Sequence, residues 1–74
     1  VQADEIVTLL KRAPFEPFTL YMSDGSRYDV RHPELVIVTP RAVHVGIPGD
    51  RNPRIAADVA VCALVHVTRL EPAT

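Results

Sequence analysis

His32, His44, His66 and Cys62 are the side chains of this sequence best suited to holding a metal or attacking a carbon centre. No two of the histidines stand in a His-x-x-x-His spacing, and a single cysteine makes no Cys-x-x-Cys. Their structural reading is simple. His32 ends a strand before Pro33, and His44 and His66 belong to strands on their less apolar side. Cys62 and His66, four positions apart on a strand-like stretch, lie too far apart for the hydrogen bond that activates a thiol, and Cys62 sits between Val61 and Ala63 as a small buried hydrophobe would. Ser23, Asp24 and Ser26 bracket Gly25, where turn chemistry accounts for all three. The sequence has no glycine-rich phosphate loop and no Gly-x-Ser-x-Gly elbow, and Asp24, Asp29, Glu34 and Asp58 have no evident partner to set their acidities apart. The expectation is a protein without catalytic residues, metal or cofactor.

One cluster of like charge remains. Arg41, Arg51 and Arg54 fall near the segment between the fourth and fifth expected strands, with Asp50 the acid among them, and three guanidinium groups there could contact a few phosphates. Over the whole chain eight basic residues oppose nine acidic ones, so no general field draws nucleic acid or acidic lipid. One cysteine excludes an intrachain disulfide framework and suits a reducing, cytoplasmic location. No secretory-type apolar segment opens the sequence, and no run approaches the roughly 18 apolar residues of a membrane span, so no membrane partner is expected.

These side chains must be positioned by short elements. Seven prolines and three glycines punctuate 74 residues, and with two Phe, two Tyr and no Trp the core must come mainly from Val, Ile, Leu and Ala, a bias toward strand. Ala3, Ile6, Leu10 and Ala13 lie on one stripe of a helix over about 4–12, with Asp4 and Glu5 at its start, Lys11 and Arg12 at its end and Pro14 as its stop. Phe15 and Phe18 then clamp that helix onto a sheet. Strands are expected at about 18–23, 26–31, 35–39, 42–47, 56–62 and 66–70. Asp24-Gly25 marks a hairpin with a primed turn, both residues taking positive φ. The nearly all-apolar Leu35–Thr39 reads as a strand covered on both faces or bent at a barrel corner. The alanine-rich 55–63 fits strand or helix, strand being favoured by the alternation from Asp58 to Cys62.

The fold class that results is α+β, mainly β: one domain over residues 1–74, an amphipathic N-terminal helix followed by a five- to six-stranded curved antiparallel sheet or small barrel. Leu20-Tyr21-Met22-Ser23-Asp24-Gly25 and Val67-Thr68-Arg69-Leu70-Glu71-Pro72 resemble the first-turn and closing segments of Sm-like small β-barrels, the family of bacterial Hfq. That resemblance implies an Sm/SH3-like barrel, a ring of copies and RNA binding, although the Tyr-Lys-His segment through which Hfq contacts RNA has no counterpart here. Arg12-Ala13-Pro14-Phe15-Glu16-Pro17-Phe18, Asp24-Gly25, His32-Pro33-Glu34 and His66-Val67-Thr68-Arg69-Leu70-Glu71 are similar to a set of short bacterial proteins that carry no assigned activity. A chain this small buries only about 60 % of its unfolded surface, so its thin core invites self-association. The leading expectation is a non-enzymatic binding or assembly module that forms a homo-oligomer. Two others compete with it: an Sm-like RNA- or DNA-binding oligomer acting through Arg41, Arg51 and Arg54, and an adaptor or antitoxin-like partner of another protein.

Overall fold

The computed structural model describes residues 1–73. Helix α1 spans Ala3–Leu10 and starts from Gln2, whose backbone N–H donates to Glu5 Oε2 at 3.4 Å, half of a capping box. It ends two residues earlier than its stripe suggests, with Lys11 as C-cap. Arg12 lies beyond the helix, where it pairs with Glu16 at 3.2 Å. Eight residues make too short a helix to stand alone in water, so tertiary packing must hold it. Ile6 supplies that packing and is completely buried. Phe15 and Phe18 meet edge-on at 6.2 Å and cover the helix end of the core.

Six strands follow: β1 Phe18–Met22, β2 Arg27–Val30, β3 Val36–Val38, β4 Ala42–Pro48, β5 Ala56–Ala63 and β6 Val67–Pro72. They form two three-stranded antiparallel sheets, ordered β2-β1-β6 and β3-β4-β5, where the sequence suggested one curved sheet or a small barrel. The ladder divides at Pro33, which opens a 3₁₀ turn over Pro33–Leu35, and at a second 3₁₀ turn over Leu64–His66. In each turn the chain passes from one sheet to the other.

Two local expectations are corrected. Gly25 alone takes positive φ, 91°, and Asp24 does not. Gly25 N–H donates to Met22 O at 3.1 Å and Met22 N–H to Ser26 O at 2.8 Å, the bonding of a three-residue loop with a glycine bulge instead of a two-residue primed turn. Leu35–Thr39 is not covered on both faces, since Leu35 ends the 3₁₀ turn and Ile37 is 67 % exposed. Val36 and Val38 face the core from a three-residue edge strand. The ambiguous 55–63 segment is strand over Ala56–Ala63, because β4 offers it a continuous ladder from Ala42↔Ala63 to Ile47↔Asp58.

Ile6, Phe18, Leu20, Val30, Val43, Val45, Cys62, Leu64 and Val67 make the buried core between helix and sheets. Among the described residues no buried side-chain polar atom lacks a hydrogen-bond partner, and no helix is long and apolar enough to cross a membrane.

Candidate functional site

The three arginines do not come together. Arg41 occupies the turn before β4, where its carbonyl accepts the Leu64 N–H at 2.9 Å. Arg51 and Arg54 lie in the loop after β4, closed on itself by Gly49 N–H to Ile55 O at 2.9 Å and Arg54 N–H to Asn52 Oδ1 at 3.0 Å. The whole of β4 intervenes, roughly 20 Å at strand rise, so a phosphate grip there is reduced to two arginines beside Asp50.

The histidines also separate. His32 Nδ1 lies 3.6 Å from Glu34, His44 sits mid-strand on β4, and His66 ends the second 3₁₀ turn. No group of three metal-ligating side chains gathers among the described residues. Cys62 is 1 % exposed, and burial, with a smaller effect from the charge of Asp24, raises its thiol above the usual pKa. A thiol kept protonated is a poor nucleophile.

A contact invisible in the sequence forms where the β1–β6 ladder slips between Tyr21 and Met22. The Ser23 N–H donates to the His66 carbonyl at 2.8 Å, and Ser23 Oγ lies 3.3 Å from His66 Nδ1. With Asp24 adjacent this resembles a nucleophile, a base and an acid, but the remaining groups are already engaged. Asp24 Oδ1 accepts Ser26 Oγ–H at 2.6 Å and Ser26 N–H at 2.9 Å, bonds that hold its carboxyl below its usual range. The N–H groups of Ser23, Gly25 and Ser26, which an oxyanion would need, are all donated already, the first to the His66 carbonyl and the other two within the turn. The cluster therefore fastens the hairpin to the second 3₁₀ turn. Beside it Met22, Val61 and Ala63 line a shallow cleft of about 320 Å³.

That cleft runs along the outer edge of β5, the longest unpaired edge of either sheet. The hydrogen bonds fix which of its main-chain groups are free. Leu64 N–H reaches Arg41 across the β4 side, so from Asp58 onward the even positions of β5 bond to β4 and the odd ones face outward. Val59 N–H agrees, being satisfied by Asp58 Oδ1 at 2.8 Å and not by β4. The outward amides and carbonyls thus belong to Val59, Val61 and Ala63, the alternation ending at the bulge opposite Ile47.

The faces of the two sheets differ sharply. The outer face of β2-β1-β6 is polar: Thr19 donates to Asp29 at 2.8 Å, the Arg69 guanidinium lies 4.0 Å above the Tyr21 ring, and Arg69 pairs with Glu71 at 3.0 Å. On the outer face of β3-β4-β5 the register aligns Ile37 with His44 and His44 with Val61. Ile37, Val59 and Val61 are 67, 54 and 66 % exposed there. An unpaired edge beside an apolar face leaves main-chain groups and apolar side chains open to another strand. No family model, curated protein or solved structure matches the chain.

Proposed function

We propose that this chain is a non-enzymatic binding and assembly module that self-associates through the β5 side of its second sheet. The observation that carries this is the combination on one strand of a free main-chain edge with exposed Val59 and Val61, while the other sheet turns charge to solvent. Size argues the same way. The accessible surface is 5158 Å², against about 4,500 Å² for an independent monomer of this mass. Burying one exposed valine contributes about 1.5 kcal/mol or more, so a few such contacts per copy make association favourable.

Two stacked three-stranded sheets with 3₁₀ turns at the crossings support reading the domain as a small open barrel of the Sm or SH3 kind. The nucleic-acid reading keeps only Arg51 and Arg54 of its expected contacts, since Arg41 stands at the opposite end of β4.

Light scattering after size exclusion tests the proposal. A mass that exceeds the 8.2 kDa chain and rises with concentration is expected. A monomer at millimolar concentration would refute self-association.

A further inference from the structure

We infer that the cleft beside His66 is a socket for Val59 of a second copy, seated there by antiparallel pairing of the two β5 edges about a two-fold axis at Val61; this rests on the self-association reading above. The free main-chain groups set the register. Val59, Val61 and Ala63 face outward, whereas Leu64 N–H is held by Arg41 and the bulge between Ile47 and Pro48 interrupts the alternation at Ala57. An outward residue exchanges hydrogen bonds with another outward residue, so odd positions must meet odd positions. An axis at Val61 sets Val61 against Val61 and Val59 against Ala63 in both directions, leaving no outward residue of either edge unmatched. Other centres use less of the edge. An axis at Ala60 strands Ala63, one at Cys62 strands Val59, and one at Val59 or Ala63 matches that residue alone.

The side chains agree with this register. Val59 is 54 % exposed, and in the pairing it stands opposite Ala63 of the other copy, a large apolar group beside a small one. Ala63, with Met22 and Val61, gives the cleft of about 320 Å³ its apolar lining, so Val59 meets matching surface there. The two Val61 residues face each other on the axis with Cα atoms about 5.5 Å apart, each covering the other's side chain. Charge does not oppose the contact. Asp58 is the one charged side chain in β5, and its two copies stand six positions apart along the strands, roughly 20 Å, beyond the Debye length of about 8 Å at physiological salt. The Val59 N–H exchanges its bond to Asp58 for one to the partner strand. The outer face of the joined sheet then runs Ile37, His44, Val61 and the same three in reverse.

The other edges of the fold offer β5 less. On β6, Pro72 has no N–H to give, and its ladder to β1 carries a bulge. β3 is three residues long, and β2 four, with Arg27 and Asp29 among them. The single lysine, Lys11, lies at the helix end, so no lysine guards β5. A pairing of β5 with itself is isologous and closes after two copies.

Mass and cross-linking test the pairing and its register. Val61→Pro removes an outward N–H and leaves the β4 ladder intact, so the mass from light scattering should fall from twice the chain mass to the 8.2 kDa of one chain, with far-UV circular dichroism unchanged. Should that variant unfold, Val61→Lys alters only an exposed side chain and sets two ammonium groups opposite each other, and the same loss is expected. Val61→Cys places one thiol from each copy at the axis, and a short bismaleimide should join nearly all of it into a dimer. Ile37→Cys is equally exposed on the same face but lies five strand spacings from its counterpart, roughly 24 Å, and should stay unjoined, as should the wild type with its buried Cys62. An assembly that survives both Val61 variants, that fails to cross-link through Val61→Cys, or that cross-links as readily through Ile37→Cys overturns the β5 pairing while self-association stands. A wild type that is monomeric throughout overturns both.

Discussion

Gly25 and Gly46 are both required by the fold, for different reasons. At Gly25 the backbone has φ of 91° and open space where a Cβ would go, so Gly25→Ala meets no neighbour and its cost is conformational, about 1–2 kcal/mol. At Gly46 the φ is ordinary, but a Cβ would lie 2.8 Å from the Leu35 carbonyl oxygen and 3.0 Å from Leu35 Cβ. Gly46→Ala must therefore push β4 from the 3₁₀ turn, at about 1–3 kcal/mol. Urea denaturation of the two variants measures both. Asp24 provides a pH readout of the hairpin. Its carboxyl is more acidic in the folded chain than the ordinary 3.8, chiefly through the Ser26 hydroxyl and then the Ser26 N–H. A group depressed in this way stabilises the fold above the unfolded pKa and loses that contribution as pH falls through the folded value. Ser26→Ala should move the Asp24 titration, followed by NMR, back up toward the ordinary range. An unmoved titration would show that the hydroxyl bond is not formed in solution.

At the scale of elements, α1 is held by one fully buried side chain. Ile6→Ala is expected to cost about 2–5 kcal/mol in equilibrium unfolding, a large share of the stability of a domain this small. Loss of less than 1 kcal/mol would mean that the helix is dispensable to the core. The strands show why element type was legible and element environment was not. Alternation in Arg27–Val30 and in Ala42–Ile47 is a local property, and both are strands. Coverage depends on neighbours. The apolar run Leu35–Thr39 reads as doubly covered or bent at a barrel corner, yet its strand, Val36–Val38, is an edge strand backed by one layer, leaving Ile37 in solvent. The alanines of Ala56–Ala63 are compatible with a helix, and the ladder to β4 overrides that preference.

For the whole molecule, a Cα radius of gyration of 11.5 Å is that of a compact chain, about 11 Å at this length. Compactness is reached with nine buried core side chains among the described residues and an apolar sheet face still open. Stability should therefore be linked to assembly. Tm is expected to rise with protein concentration, because a partner that binds only the folded state stabilises it by mass action. Raising salt should leave that dependence nearly unchanged, since Ile37, Val59 and Val61 carry no charge. A Tm independent of concentration across two decades would argue against coupling.

The sequence alone determined the N-terminal helix followed by strands, the Asp24-Gly25 hairpin, the burial of Cys62 and the mainly β class, because each follows from local periodicity, turn chemistry or residue size. Only the tertiary structure decided that the strands divide into two sheets, that Arg41 stands a strand's length from Arg51 and Arg54, that His66 meets Ser23, and that β5 keeps a free edge. Each of these depends on which strand pairs with which and on what covers each face. Pairing is settled by contacts between residues distant in the chain, to which no local pattern of side chains is sensitive.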